Sequence, residues 1–123
     1  MPAFALQVID RAVIVEVPTT CSNLELPDYQ ELDRKIETVL SRLGEPPIVV
    51  FDFSKTQFFG TLMLESVLRA RKLCESKGGQ VAVAGLHAPI EELFRLAHLD
   101  ELIPSFASVR EALDQLETRR SEN

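Results

Sequence analysis

Two histidines, two cysteines, an aspartate inside an apolar run and a threonine after a glycine are the residues whose type and setting could do chemistry. Nucleophilic catalysis of the Ser-His-Asp kind needs a base within hydrogen-bond reach of the nucleophile, and His87 and His98 are the candidates for that base. Neither stands in a motif. His98 falls in an apolar helical pattern beside Leu99, and His87 lies near where that pattern begins, which suits a surface or capping role. Cys21 and Cys74 form no Cys-x-x-Cys and have no histidine close in sequence, so they read as reduced structural thiols. The glycines spell neither GxGxxG nor a P-loop, and Gly78-Gly79 closes a helical pattern where a phosphate cradle would open one. Glu91-Glu92 and Asp100-Glu101 are adjacent pairs that point in different directions on a helix and read as solvated surface. No catalytic residue, metal site or cofactor is expected.

Asp52 and Thr61 remain. Asp52 interrupts an apolar strand near its end, where a carboxylate must find a partner or water. It can accept from amides of the following loop, the alternative being a catalytic role. Thr61 also has two compatible readings. As a helix cap, its hydroxyl accepts an amide hydrogen bond at a gain of about 1 kcal/mol. As a functional site, it is an exposed hydroxyl at the positive end of a helix, where an added phosphate meets free N–H groups and a favourable dipole.

Both residues belong to the stretch from Pro46 to Leu68, around which the chain is organised. The run Ile48-Val49-Val50-Phe51-Asp52-Phe53 lacks the alternation of a strand with one wet face, so it is expected to be a central strand covered on both sides. Ser54 to Gln57 form a polar connection, Phe58-Phe59 return to the interior, and a helix is expected from about Thr61. In open α/β folds this edge is where ligands and partners bind, which makes the turn at Gly60 and Thr61 the first candidate site.

The flanking segments supply the rest of an α/β sheet. Residues Phe4 to Ile9 and Ala12 to Val17 are β-rich runs separated by Asp10-Arg11, a break suited to a hairpin. After a loop, Asp28 offers a start for a helix bearing Tyr29, Leu32, Ile36, Val39, Leu40 and Leu43, ended by Gly44 and Pro46. The second helix carries Met63, Leu64, Val67, Leu68, Ala70, Leu73 and Cys74. A strand from Gln80 to Ala84 follows, then a third helix with Pro89 in its first turn and Ile90, Leu93, Phe94, Ala97 and Leu99 on its apolar face. Ile103 to Phe106 allow a short edge strand, and the capping box Ser108-Val109-Arg110-Glu111 opens a last helix with Val109, Ala112, Leu113 and Leu116 on one face. The charged segment 117–123 is expected to fray.

The sequence has 123 residues, 46% of them hydrophobic, enough for one compact domain and too few for two. A net charge of -6 argues against binding nucleic acid or an anionic membrane, because phosphate neutralisation needs clustered Lys and Arg. With no apolar run of about 20 residues and no basic-then-apolar start, a soluble cytoplasmic protein is expected.

The order and spacing of several segments resemble the STAS family, the domain shared by bacterial anti-sigma factor antagonists and the cytoplasmic tails of sulfate transporters. Val49-Val50-Phe51-Asp52-Phe53-Ser54 is similar to the family's strand with its Asp-Leu-Ser ending, and Gly78 to Gly85 to its next turn and strand. Leu96 to Phe106, followed by Ser108 to Leu113, resembles its C-terminal signature. The resemblance implies one domain over 1–116, with a mixed sheet of four or five strands and about four helices. The family's Asp-Ser-Ser-Gly motif, phosphorylated on its first serine in the antagonists, falls on Gly60-Thr61-Leu62-Met63, where Thr61 alone keeps the chemistry. By resemblance, then, Thr61 is the phosphoacceptor candidate, and Ser54, Phe59, Gly60, Thr61, Leu62 and Glu65 form the surface for a kinase-like anti-sigma partner. Phosphorylation breaks such a complex by placing about -2 charge in the interface. Two alternatives stand beside this: an unmodified STAS scaffold in a larger signalling assembly, and a two-component receiver domain with Asp52 as phosphoacceptor. A receiver's first strand leads straight into a helix, whereas this chain opens with two β runs.

Overall fold

The computed structural model describes residues 3–121, with side chains for 3–117. Among the described residues the order is β1 (Ala5–Ile9), β2 (Ala12–Glu16), α1 (Leu26–Arg42), β3 (Ile48–Asp52), α2 (Thr61–Ser76), β4 (Gln80–Ala84), α3 (Ala88–Leu96), a 3-10 turn (Leu99–Glu101), β5 (Ser105–Phe106) and α4 (Val109–Ser121). The strands form one mixed sheet in the order β1-β2-β3-β4-β5. β1 is antiparallel to β2 across the turn at Asp10-Arg11, where Asp10 takes φ 54, a left-handed conformation that Asp tolerates better than most residues. All other pairings are parallel, with Val50 of β3 opposite Ile14 of β2 and Ala82 of β4.

This strand order fixes the layers. Successive right-handed crossovers that step across the sheet in one direction place their helices on one face. Tyr29, Leu32, Ile36 and Leu40 of α1, Met63, Val67, Ala70 and Cys74 of α2, and Ile90 and Phe94 of α3 accordingly share one core with Val13, Val15, Val49, Phe51, Val81 and Val83. The alternate residues Ala12, Ile14, Ile48, Val50, Ala82 and Ala84 face the other way, against Ala112 and Leu116 of α4. A single helix covers that face, and three alanines let it approach closely. β3 is therefore covered on both sides, with Ile48 to Phe51 all fully buried. The turn after α2 holds β4 in register: Gly79 N–H donates to Cys74 O at 2.7 Å and Gly78 N–H to Glu75 O at 3.0 Å, with Gly78 at φ 74. A Cβ at Gly79 would lie 2.1 Å from Pro47 O, so only glycine fits beneath that carbonyl.

Several boundaries differ from expectation. α1 begins at Leu26, with Pro27 in its first turn, and Asp28 sits one residue short of a full turn inside it, its Oδ2 accepting from Glu25 N at 2.8 Å. α3 ends at Leu96 and does not run through Ala97 and Leu99. His98 at φ 60 breaks it, and Leu99 is buried from the separate 3-10 turn. The charged segment from Glu117 continues α4 to Ser121, anchored where Arg11 Nη2 donates to Glu117 Oε2 at 2.5 Å, and 122–123 lie outside the described residues. Ser108 does open this helix, its Oγ accepting from Glu111 N at 3.1 Å. The opening hairpin also disposes of the receiver reading, which requires a helix after the first strand.

Replacing Val50 by Asp places a carboxylate between β3 and α4 with no partner. The expected loss is about 3–5 kcal/mol. Urea denaturation monitored by circular dichroism checks it, and a cooperative transition at the wild-type midpoint would remove β3 from the centre of the sheet.

Candidate functional site

Where β3 ends, the chain enters a segment from Phe53 to Gly60 that is pinned from several sides. Asp52 Oδ1 accepts from Ser54 N at 2.9 Å, which satisfies the carboxylate from the loop that follows it. The buried Thr56 hydroxyl is shared between the carbonyls of Val17, at 3.2 Å, and Pro18, at 3.0 Å. Gln57 N–H donates to Thr19 O at 2.7 Å, and Cys21 N–H to Phe58 O at 3.1 Å, tying this loop to the one between β2 and α1. From the other side His87 Nε2 donates to Ser54 O at 2.6 Å. Gly85, at φ 74, lies so close that a Cβ would stand 2.8 Å from Ser54 Cα. The loop is short of freedom although Ser54, Lys55, Gln57, Phe58 and Gly60 are exposed.

Within it the two adjacent phenylalanines separate. Phe59 is 2% exposed, with ring centroids 5.2 Å from Phe53 and 6.0 Å from Phe94, so it fastens the loop to α3. The expectation that Phe59 offers contact area to a partner fails for that reason. Phe58, which the sequence reading sent inward with it, is 53% exposed. The signal was present: consecutive residues of an extended segment point to opposite sides, so one core can take only one of the pair.

Thr61 is not a cap. Gly60 holds the N-cap position, Thr61 is the first helical residue, and no side chain caps the helix. Gly60 O accepts from Met63 N at 3.1 Å. With no acidic residue in the first turn, the positive end of α2 is not compensated by any charge of its own. Thr61 is exposed there, Leu62 is half-buried against the core, and Glu65 is exposed one turn on, along the same side of the helix. Of the residues expected at the site, the structure brings Ser54, Gly60, Thr61 and Glu65 to the surface and leaves Leu62 half covered.

The other chemistry-bearing residues do not converge. His87 is engaged with Ser54 O, and His98 is exposed beyond the end of α3. Among the described residues no group of three or more His, Cys, Asp and Glu could hold a metal, and no helix is long and apolar enough to cross a membrane. Burial pushes the Cys74 thiol up to about 12, and it also raises Cys21 despite an opposing hydrogen bond with Tyr29.

The family model for the STAS domain matches residues 4–112. No curated protein sequence matches the chain. Among solved structures the chain is similar to an anti-sigma-factor antagonist (STAS) domain protein from Planctomyces limnophilus, with a TM-score of 0.77 and 18% identity over 93% of this chain and 97% of that one. It is similar to the anti-sigma factor antagonist SpoIIAA in its unphosphorylated form, with a TM-score of 0.80 and 17% identity over 94% of this chain and 97% of that one. The phosphorylated form of the Bacillus cell fate determinant SpoIIAA gives a TM-score of 0.69 and 18% identity over 92% of this chain and 98% of that one. At these identities the likeness establishes the fold: a five-stranded mixed sheet with four helices.

Two outcomes are expected from this geometry. Phe59→Ala loses about 3–5 kcal/mol of stability, while Phe58→Ala stays within about 0.5 kcal/mol of wild type, as chemical denaturation of both variants will read. Because Cys74 is held protonated by the fold, its contribution to stability is complete below the ordinary thiol range. It is lost as pH rises through that range toward about 12, where the unfolded chain alone gains a thiolate. Thermal melts across that window should fall more steeply for wild type than for Cys74→Ala.

Proposed function

The chain belongs to the STAS domain family, and from that premise we propose that it is a non-catalytic regulatory module of the anti-sigma factor antagonist kind. It binds a cytoplasmic kinase-like anti-sigma protein through the loop after β3 and the first turns of α2, and phosphorylation of Thr61 releases that partner. The observation that carries the reading is the state of the α2 N-terminus. Thr61 is exposed at a helix end that has neither a side-chain cap nor an acidic residue, on a loop fixed from both sides.

Each part of that arrangement has a use. A phosphate on Thr61 would meet first-turn amides that no side chain caps, so the domain tolerates the modification without unfolding. The same phosphate would bring about -2 charge to a surface that must be desolvated when a partner docks. Phe58, half-exposed beside it, supplies the apolar contact that the sequence had assigned to Phe59. Ser54 and Glu65 are both exposed and would supply the polar groups that the rim of such an interface needs. The unphosphorylated and phosphorylated forms of SpoIIAA both share this fold, which supports a scaffold that carries the switch without refolding.

A second reading has its own observation. Gly60, Leu62 and Met63 stand where the family's motif has an acid, a second hydroxyl and a glycine, which favours a STAS scaffold that binds its partner but is never phosphorylated. One experiment separates the two. Pull-downs from native lysate with wild type, Thr61→Ala and Thr61→Glu, together with phosphopeptide mapping of the bait, should recover a kinase-like partner with the first two. Recovery with Thr61→Glu should fall about tenfold or more. Equal recovery by all three with no phosphate on Thr61 would retire the switch and leave the scaffold.

A further inference from the structure

The two edges of the sheet are treated differently. β5 is two residues long and follows Pro104, which has no N–H to offer, so that edge is closed to further pairing. β1 has five residues, Ala5-Leu6-Gln7-Val8-Ile9, without charge or proline, and its register with β2 runs without a bulge from Ala5↔Glu16 to Ile9↔Ala12. Ile9 and Ala12 flank a two-residue turn and form a hydrogen-bonded pair. The alternation of an antiparallel ladder then turns the N–H and C=O groups of Leu6 and Val8 away from β2, toward the open edge. Their side chains share the face of Val15 and Val13, under the α1 layer. Val8 is 49% exposed there.

Beside this edge runs a groove of about 380 Å³ between β1 and α1, lined by Leu6, Glu31, Arg34, Lys35, Thr38 and Val39. Its floor is apolar and its rim is charged. Lys35 Nζ pairs with Glu31 Oε1 at 3.1 Å, whereas Arg34 has no carboxylate partner among the described residues. The uncompensated charge at the groove is thus positive, on a chain whose net charge is -6. A second copy would carry the same positive groove, which is no electrostatic complement to this one.

We infer that the β1 edge and the β1–α1 groove take up an extended peptide segment of another protein. That segment adds a strand to β1, lays alternate apolar side chains against Leu6 and Val39, and presents a carboxylate to Arg34. Open ladder groups supply the main-chain hydrogen bonds, and the groove supplies side-chain selectivity, as strand addition requires. The site lies on the antiparallel edge of the sheet, and its occupancy does not depend on Thr61.

The test uses the capped peptide acetyl-Thr-Val-Thr-Val-Thr-Glu-amide, whose valines and glutamate share one face, titrated into isotope-labelled protein and followed by NMR. Binding should shift the Leu6 and Val8 amides and slow their hydrogen exchange. Val8→Pro removes an outward donor without touching the β1–β2 ladder, and it should weaken binding about tenfold or more. Arg34→Glu, on an exposed helix position, asks the same question if the proline variant does not fold: it should weaken the glutamate peptide and favour its lysine counterpart. Three results would overturn the inference: no shift at about 1 mM peptide, equal binding of both peptides by wild type and Arg34→Glu, or protection of the β1 amides by concentration-dependent self-association in sedimentation.

Discussion

Burial of β3 on both faces is the constraint from which the rest of the structure follows. A strand whose residues from Ile48 to Phe51 are all removed from water must be paired along both edges and covered above and below. Parallel neighbours require crossovers, crossovers of one hand require helices on one face, and the face left over requires α4. The chain can return to solvent only at the end of the strand, where Asp52 is the first residue with a charge to hydrate and instead turns back to the amide of Ser54. The loop that begins there inherits its rigidity from the core beneath it: Phe53 and Phe59 are both buried, so the polar residues between them form a short arch with both feet fixed.

That arch is also where neighbouring crossovers meet. The β2–α1 loop reaches it through Thr19 and Cys21, and the β4–α3 connection through Gly85 and His87. Residues from separate parts of the sequence therefore shape one surface at the carboxyl end of the parallel strands, where Lys55 pairs with Glu16 Oε1 at 3.0 Å and Ser54, Gln57 and Phe58 are exposed. A fixed backbone with exposed side chains suits recognition, since docking then orders little that was not already ordered. The one imidazole that reaches the arch, His87, serves it through Nε2, which donates to the Ser54 carbonyl and ties the β4–α3 connection to the loop.

How much of this was legible in the sequence depended on whether a signal was local. The apolar run 48–51, the helical spacing of Tyr29, Leu32, Ile36 and Leu40, and the Gly78-Gly79 stop each declare themselves within a few residues, and the structure realises them. The split of Phe58 from Phe59 required knowing that α3 would bring Phe94 to one side of the loop, which is a tertiary fact. The break at His98 was hidden for a related reason: Leu99 keeps the apolar spacing of a helix, yet a left-handed residue delivers it to the core by another route. α4 outran its expected end because charge density suggested fraying, whereas the pairing of Glu117 with Arg11 comes from a turn over a hundred positions away. At the candidate site the sequence placed the helix start correctly, and of its two readings of Thr61 the exposed position at the helix end holds while the cap was a mistake.

That mistake bears on function. A threonine at the N-cap would hold its hydroxyl against the N–H of the second or third helical residue, so adding a phosphate there would first break the cap at a cost of about 1 kcal/mol. With Gly60 as the cap residue and Thr61 as the first helical position, the hydroxyl has no such duty. Glycine is a serviceable N-cap residue but contributes no side-chain acceptor, and Thr61 brings no acid in the place of one. Both choices leave the helix end positive and its leading amides without a side-chain acceptor. Under the proposed switch, a phosphate attached to Thr61 and an acidic surface of a partner would compete for these same amides.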